Sequence, residues 1–218
     1  RENVPLAEIS WFRCGGPADV VATVESKSDL EEAIAIADER QLPILFVGSG
    51  SNLVFADAGL RGMIIRSHNT LMHDAGKGRF VVGAGVQNAE FYRFARDLGY
   101  DWSGFFTVPG SIGGAVAGNS GIPGCEMQDY LVFAELYDVA RREFFTEAAD
   151  YFRYGYRHSI FREDPALRQK LLIWEIALFL DARPAEEIEA KAQDVMAARK
   201  AKQPWGKTGG SFFKNPPE

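Results

Sequence analysis

The chain is poor in the residues that staple small secreted domains or build metal sites. Its 218 residues include two cysteines, Cys14 and Cys125, too few for a disulfide framework. They read as two small, semi-buried side chains. The three histidines, His68, His73 and His158, belong to no Cys/His cluster of zinc spacing, so no metal is expected. Long hydrophobic runs are missing as well. The longest, Leu171 to Leu180, contains Glu175 and falls short of the ~20 residues that span a bilayer. The opening Arg1-Glu2-Asn3-Val4-Pro5-Leu6 lacks an apolar signal-peptide core. These absences predict a soluble, cytoplasmic protein with no membrane partner. There is no basic excess either: 24 Lys and Arg against 30 Asp and Glu leave a net charge of −6. That disfavours nucleic acid, which needs a basic face. An anionic ligand stays open, because a cradle of backbone N–H groups is indifferent to net charge. The first residue is not Met and the last are Asn-Pro-Pro-Glu, so both ends look cut and a fragment is expected.

What is present is globular: 46% hydrophobic and 25% charged residues argue against disorder. Val20 to Val24 is a β-branched strand candidate. Ser28-Asp29-Leu30-Glu31 reads as a capping box. Leu30, Ala33, Ile34 and Ala37 follow at helical spacing, and Ile44-Leu45-Phe46-Val47 reads as a buried strand. Residues 20–47 are thus predicted to form a β-α-β unit. Residues 63–65 and 80–82 read as short strands. Asn88 is placed to cap a helix that carries Phe91, Phe94, Ala95 and Leu98 and ends at Gly99. Tyr130 to Val139 and Leu171 to Leu180 read as strands. Pro184 opens a long helix with Ile188, Ala192, Val195 and Met196 on one face.

Four motifs could carry chemistry. Val47-Gly48-Ser49-Gly50-Ser51-Asn52-Leu53 follows a buried strand. Its glycines let the backbone approach a ligand, and successive N–H groups could cradle a diphosphate. It is neither a Walker A loop nor a dinucleotide Gly-x-Gly-x-x-Gly, since position 53 is Leu. An ordinary strand-to-loop turn fits it about as well. The second is Pro109-Gly110-Ser111-Ile112-Gly113-Gly114-Ala115, followed by Gly118-Asn119-Ser120-Gly121. Glycines within an apolar stretch bring backbone close to something flat or charged, and that reading fits this loop better than a purely structural turn. Two such loops in one chain favour a dinucleotide whose pyrophosphate they share. The third, Tyr154-Gly155-Tyr156-Arg157-His158-Ser159, offers a fixed planar cation suited to a carboxylate or enolate. From the residues alone, a surface arginine between core aromatics fits better. The fourth, Gly209-Gly210-Ser211-Phe212-Phe213-Lys214-Asn215-Pro216, could present a hydroxyl to a pocket or simply form a capped turn. It is no Gly-x-Ser-x-Gly elbow.

In order and spacing, together with Arg13-Cys14-Gly15-Gly16-Pro17-Ala18 near the start, the four motifs resemble the UDP-N-acetylenolpyruvoylglucosamine reductase (MurB) family. The Tyr-Arg-x-Ser-Ile-Phe form resembles its shorter subtype. The resemblance implies an α+β fold: a two-subdomain FAD-binding module of the vanillyl-alcohol-oxidase/PCMH type, then the start of an α+β substrate domain. The boundaries it implies are 1–67 and 68–183 for the FAD-binding subdomains and 184–218 for an incomplete substrate-binding domain. It implies FAD held by residues 47–53 and by Pro109, Gly110, Ser111, Gly113, Gly114, Ala115, Asn119 and Gly121. It also implies NADPH as hydride donor and a UDP-sugar enolpyruvyl ether as substrate in peptidoglycan precursor synthesis. Arg157 matches the family's enolate-stabilising cation and Ser211 its proton donor, with Tyr156, Lys214 and Asn215 as substrate contacts. The family pattern continues well beyond Asn-Pro to a catalytic glutamate. Glu218 comes too early to be that residue, so flavin binding without turnover is expected, with the apolar face of the last helix left exposed. A flavin oxidase of the same fold, or a non-catalytic flavin-binding relative, is the alternative.

Overall fold

The computed structural model describes residues 1–202. The expectations for Ser211, Lys214 and Asn215 lie outside the described residues. The fold is α+β, built on two larger sheets.

The first sheet comes from the N-terminal third. β1 (Glu2–Pro5) pairs antiparallel with β2 (Pro17–Val24), α1 (Lys27–Glu39) crosses over, and β3 (Ile44–Phe46) and β4 (Leu60–Ser67) complete the order β1-β2-β4-β3. β2 and β3 both run parallel to β4, as a β-α-β unit requires. The capping box sits two residues before the expected Ser28. Ser26 Oγ accepts from the Asp29 N–H at 3.1 Å, and the Asp29 carboxylate takes the N–H groups of Glu25 and Ser26, each at 3.0 Å. A carboxylate with two backbone donors outcompetes the Glu31 alternative. Those bonds, the Glu25 N–H foremost, hold the Asp29 carboxyl below its ordinary range.

The second sheet is wholly antiparallel, of order β10-β9-β11-β6-β5. In chain order its unit comprises β5 (Met72–Gly76), β6 (Arg79–Gly83), α2 (Asn88–Asp97), α3 (Ile112–Gly118), β7 (Gly121–Ile122) and β8 (Cys125–Glu126). It continues with β9 (Leu131–Asp138), β10 (Glu143–Ala148), α4 (Ile160–Glu163) and β11 (Leu171–Phe179), and α5 (Ala185–Lys202) follows. Asn88 is not the cap of α2. Gln87 is, with the Glu90 carboxylate on its N–H, while buried Asn88 donates its carboxamide to the Val108 carbonyl at 3.2 Å. Leu98, expected on the buried face, is exposed at the C-cap.

α3 was not expected as a helix. Each glycine costs a helix about 1 kcal/mol relative to alanine, and α3 holds three. Packing compensates: Ile112, Ala115 and Val116 are buried, and a Cβ on Gly113 would stand 2.7 Å from the Ala84 Cβ. Only glycine lets the helix lie this close to the end of β6.

The main core fills the space between the second sheet and α2, α3 and α5, with Phe80, Phe91, Trp102, Ile176, Ile188 and Ala192 among its members. A second cluster joins the two sheets, setting Leu30, Ile34 and Ile65 against Tyr137, Leu172 and Trp174. The ion pairs Lys27–Glu135, at 2.7 Å, and Arg142–Asp38 bridge the same units.

The expectation of an exposed apolar face on the last helix is corrected. Ile188 and Ala192 are fully buried, and Val195 and Met196 are partly covered. The second unit's core receives that stripe, and polar contacts fix it there: Lys191 Nζ to Asp101 Oδ2 at 2.8 Å and Tyr92 Oη to Glu189 Oε2 at 3.0 Å. Among the described residues no helix is long and apolar enough to cross a membrane.

Candidate functional site

The glycine-rich motifs meet. A Cβ on Gly48 would stand 2.7 Å from Ser111 Oγ, and one on Gly110 would stand 2.9 Å from Ser51 Oγ. Loop 48–53 therefore abuts the N-terminal end of α3. Ser49 and Ser51 share a hydroxyl hydrogen bond of 2.8 Å. The loop turns through Gly50 at φ +72°, a left-handed value that favours glycine, and the Gly50 carbonyl accepts from the Trp11 N–H at 3.2 Å. Among the described residues no protein acceptor takes the backbone N–H groups of Gly48, Ser49, Gly50, Ser51 or Asn52, nor those of Gly110 and Ser111. Unsatisfied donors in series make a concave anion cradle. No charged side chain stands in either loop.

The helix end itself supplies fewer donors than the sequence suggests. The N–H groups of Ile112 and Gly113 go to the carbonyls of Val86 and Ala84, at 2.8 and 3.0 Å, and that of Gly114 goes to Ser111 Oγ. The backbone-donor role expected of Gly113 and Gly114 is thus already filled by protein partners. Gly113 is a packing glycine. Gly114 is exposed, and among the described residues nothing is nearer its absent Cβ than Ser111 Oγ at 3.4 Å. Ala115 faces the core, and Val47 and Leu53 back the loop from the small apolar cluster of the first sheet. The Arg13–Ala18 motif serves packing too: a Cβ on Gly16 would collide with the Asp57 carbonyl at 2.0 Å.

Two features escaped the sequence reading. Arg66 on β4 donates Nε to the Gly48 carbonyl at 3.3 Å, and burial lowers its guanidinium pKa without removing the charge. It brings a cation to an uncharged cradle. Beside the loops, a surface hollow of about 300 Å³ is lined by Trp11, Gln87, Phe106, Thr107, Pro109 and Gly110. The buried Thr107 hydroxyl there has no hydrogen-bond partner among the described residues. Uncharged donors, a nearby cation and an orphaned hydroxyl all fit a large dianionic cofactor.

The other end of α3 holds Arg157. Tyr154 Oη donates to the Val116 carbonyl at 2.8 Å, Ser159 Oγ to that of Ala117 at 2.5 Å, and Asn119 Nδ2 to that of Gly155 at 2.9 Å. Segment 154–159 is thereby stapled onto the helix C-terminus, where free carbonyls need donors. Burial pushes the Tyr154 hydroxyl pKa upward, so it stays a proton donor. Arg157 stands at φ +53° and sends Nη1 to Glu126 Oε1 at 2.8 Å and Nη2 to the Gly121 carbonyl at 2.7 Å. Tyr156 is half-exposed, with its ring centroid 5.5 Å from the guanidinium carbon. Glu126 is the second residue missed; nothing in the run Cys125-Glu126-Met127 marks it. Asn119, expected beside the cofactor, is fully buried at the helix C-cap and belongs to this end, as does Gly121. Among the described residues no group of His, Cys, Asp and Glu is placed to hold a metal ion.

The profile of the family described as "FAD binding domain" matches residues 18–141. The UDP-N-acetylenolpyruvoylglucosamine reductase of Azorhizobium caulinodans is 38% identical over 99% of this chain and 68% of its own length. That of Pelobacter propionicus is 36% identical over 97% and 70%. Among solved structures, UDP-N-acetylenolpyruvylglucosamine reductase (MurB) from Thermus caldophilus superposes with a TM-score of 0.81 at 31% identity, covering 98% of this chain and 74% of that one.

Proposed function

Because the chain belongs to the UDP-N-acetylenolpyruvoylglucosamine reductase family, we propose that it takes FAD into the double loop and reduces a UDP-sugar enolpyruvyl ether, with NADPH as the hydride donor. The product would feed peptidoglycan precursor synthesis in the cytoplasm. The reading rests above all on the unsatisfied N–H groups of residues 48–52, beside an α-helix whose far end carries a pinned arginine.

When bound, FAD supplies the two-electron chemistry that no side chain here offers. The N–H groups of 48–52, 110 and 111 would hold its diphosphate, and Arg66 would add charge at their edge. Glycine at 48 and 110 lets the two loops close on one another, and glycine at 114 keeps a side chain out of the approach. Arg157 would face the substrate carboxylate. Hydride addition to the enolpyruvyl group drives negative charge toward that carboxylate, and a fixed cation in a water-poor site is worth several kcal/mol there. Tyr156 flanks the substrate, with Lys214 and Asn215 as further contacts. Ser211 donates the proton to the carbon next to the carboxylate, since a weakly acidic hydroxyl can protonate a carbanion-like centre. We assign residues 1–67 and 68–183 as the two halves of the cofactor module and 184–218 to the substrate-binding part, entered through α5, whose apolar stripe packs on the second half.

The test is anaerobic and uses two half-reactions. NADPH should bleach the bound flavin, and the enolpyruvyl ether should restore its colour. Protein that purifies without flavin and takes up none would refute the cradle. Flavin that is reduced but reoxidised only by oxygen would refute the substrate.

A further inference from the structure

We propose that Glu126 is the positioning residue of Arg157, holding the guanidinium in the one direction from which it can meet the substrate carboxylate. The inference rests on the functional reading above and adds a residue to it.

An arginine reaches its target through four rotatable bonds, so a useful direction must be imposed from outside. Here the backbone already sits in the left-handed region, at φ +53°, which a non-glycine residue adopts only when its surroundings demand it. The guanidinium is then held at two points, Glu126 Oε1 at 2.8 Å and the Gly121 carbonyl at 2.7 Å. One N–H on each Nη is consumed. Three of the five donors remain for a ligand: the Nε–H and the second hydrogen on each Nη.

Glu126 can impose that geometry because it is itself fixed. Its side chain is 12% exposed. Its second oxygen, Oε2, accepts from Asn119 Nδ2 at 3.0 Å and lies 3.5 Å from Gln128 Nε2. Asn119 is fully buried, and its Oδ1 accepts from the Gln128 N–H at 3.1 Å. The carboxylate is therefore braced from the C-cap of α3, the same helix whose other end abuts the cofactor loop. Removing Glu126 leaves Arg157 one carbonyl and the face of Tyr156. The neighbouring acid, Glu163, is engaged with Arg153 at 3.3 Å.

The competing account is a staple that merely ties the 121–126 hairpin to segment 154–159. Two variants, Glu126→Ala and Glu126→Gln, separate them in the full-length holoenzyme. Gln keeps side-chain length and one acceptor oxygen for Arg157 Nη1, giving up the contact of Oε2 with Asn119 Nδ2. Positioning predicts unchanged flavin content and an unchanged rate of reduction by NADPH in both. Reoxidation by the enolpyruvyl ether should fall about 10²-fold in Glu126→Ala, the size of effect a misplacement of about 1 Å produces. Glu126→Gln should recover most of it. Independently of turnover, the Arg157 Nε–H resonance, assigned by its disappearance in Arg157→Lys, should be rigid in the parent and in Glu126→Gln. In Glu126→Ala it should be mobile. A staple would lower flavin content or slow both half-reactions together, in both variants, and that result overturns the proposal. So does a Glu126→Ala protein with parental reoxidation, or one whose Arg157 Nε–H stays rigid. A parent protein that the ether does not reoxidise sinks the functional reading, and this inference with it.

Discussion

The two ends of α3 are about 10 Å apart, seven residues at 1.5 Å each, and their chemistry is opposite. At the N-terminal end the loops are neutral: serine hydroxyls, glycines and unsatisfied backbone N–H groups, with the Arg66 guanidinium at the rim. At the C-terminal end side chains crowd in: two hydroxyls take the carbonyls of Val116 and Ala117, the Asn119 carboxamide takes that of Gly155, and the Arg157–Glu126 ion pair stands beside them. The difference follows from what each end must meet. A dianion arriving from solvent is best held by dipoles that cost nothing to leave bare, because water satisfies them in its absence. A fixed cation must instead be aimed before the ligand comes, and aiming takes partners.

The most severe way to break the contrast is Gly50→Val. It puts a β-branched residue at φ +72°, with its Cβ 2.4 Å from the Ile9 carbonyl, and should cost about 3 kcal/mol or more. Thermal unfolding monitored by circular dichroism reads the loss. A variant as stable as the parent would mean that the loop has a second conformation. Because the Gly50 Cβ position faces protein, loss of flavin in this variant would report folding and not ligand contact.

Arg157→Ala comes next and addresses the other end alone. Reoxidation by the enolpyruvyl ether should slow about 10²–10³-fold, as when one transition-state donor is removed. Flavin content and reduction by NADPH should not change. Loss of flavin would show that the two ends are not separable. Arg66→Ala is milder: flavin affinity should fall about tenfold at low salt, with a smaller difference at 1 M salt, where the screening length shrinks to about 3 Å. Fluorescence titration of apoprotein measures it, and an affinity equal to the parent's would remove Arg66 from the cradle.

Gly114→Ala should have the smallest effect and is the most discriminating. Among the described residues the added methyl meets Ser111 Oγ, at 3.4 Å, and alanine favours helix by about 1 kcal/mol over glycine. Apoprotein should therefore melt slightly higher while flavin affinity drops by a few-fold. A rise in both would make Gly114 another packing glycine, like Gly113.

How far the residues alone foretell this picture differs between the two units. The β-α-β unit is legible because its signals are local: β-branched strands, a helical apolar period and a proline between them. The capping box was misplaced by two residues, since Ser26 and Ser28 both stand before an acid and only the geometry of the turn chooses between them. α3 was illegible because three glycines argue against a helix, and the compensating contact with Ala84 comes from about thirty residues earlier in the chain. Gly113 and Gly114 look identical in sequence, and one turns inward while the other faces solvent. Arg157 was found through family resemblance, but Glu126 was not, because its significance lies in a pairing across 31 positions. The burial of Ile188 and Ala192 likewise depends on a partner surface that no window of sequence contains.

α3 also acts as a ruler. Both functional ends take their separation and their relative rotation from its length. One inserted residue would lengthen it by about 1.5 Å and turn its far end by about 100°, swinging Asn119 away from Gly155 and the ion pair out of line with the cradle. Substitutions within 112–118 can be judged one by one on packing, whereas a change of length there is not a local event. The β5–β6 hairpin, where among the described residues nothing lies within 4 Å of the absent Cβ of Gly76, carries no such measure. Lineages of this fold should therefore be free to lengthen that turn and be held to a single helix length between Ser111 and Asn119.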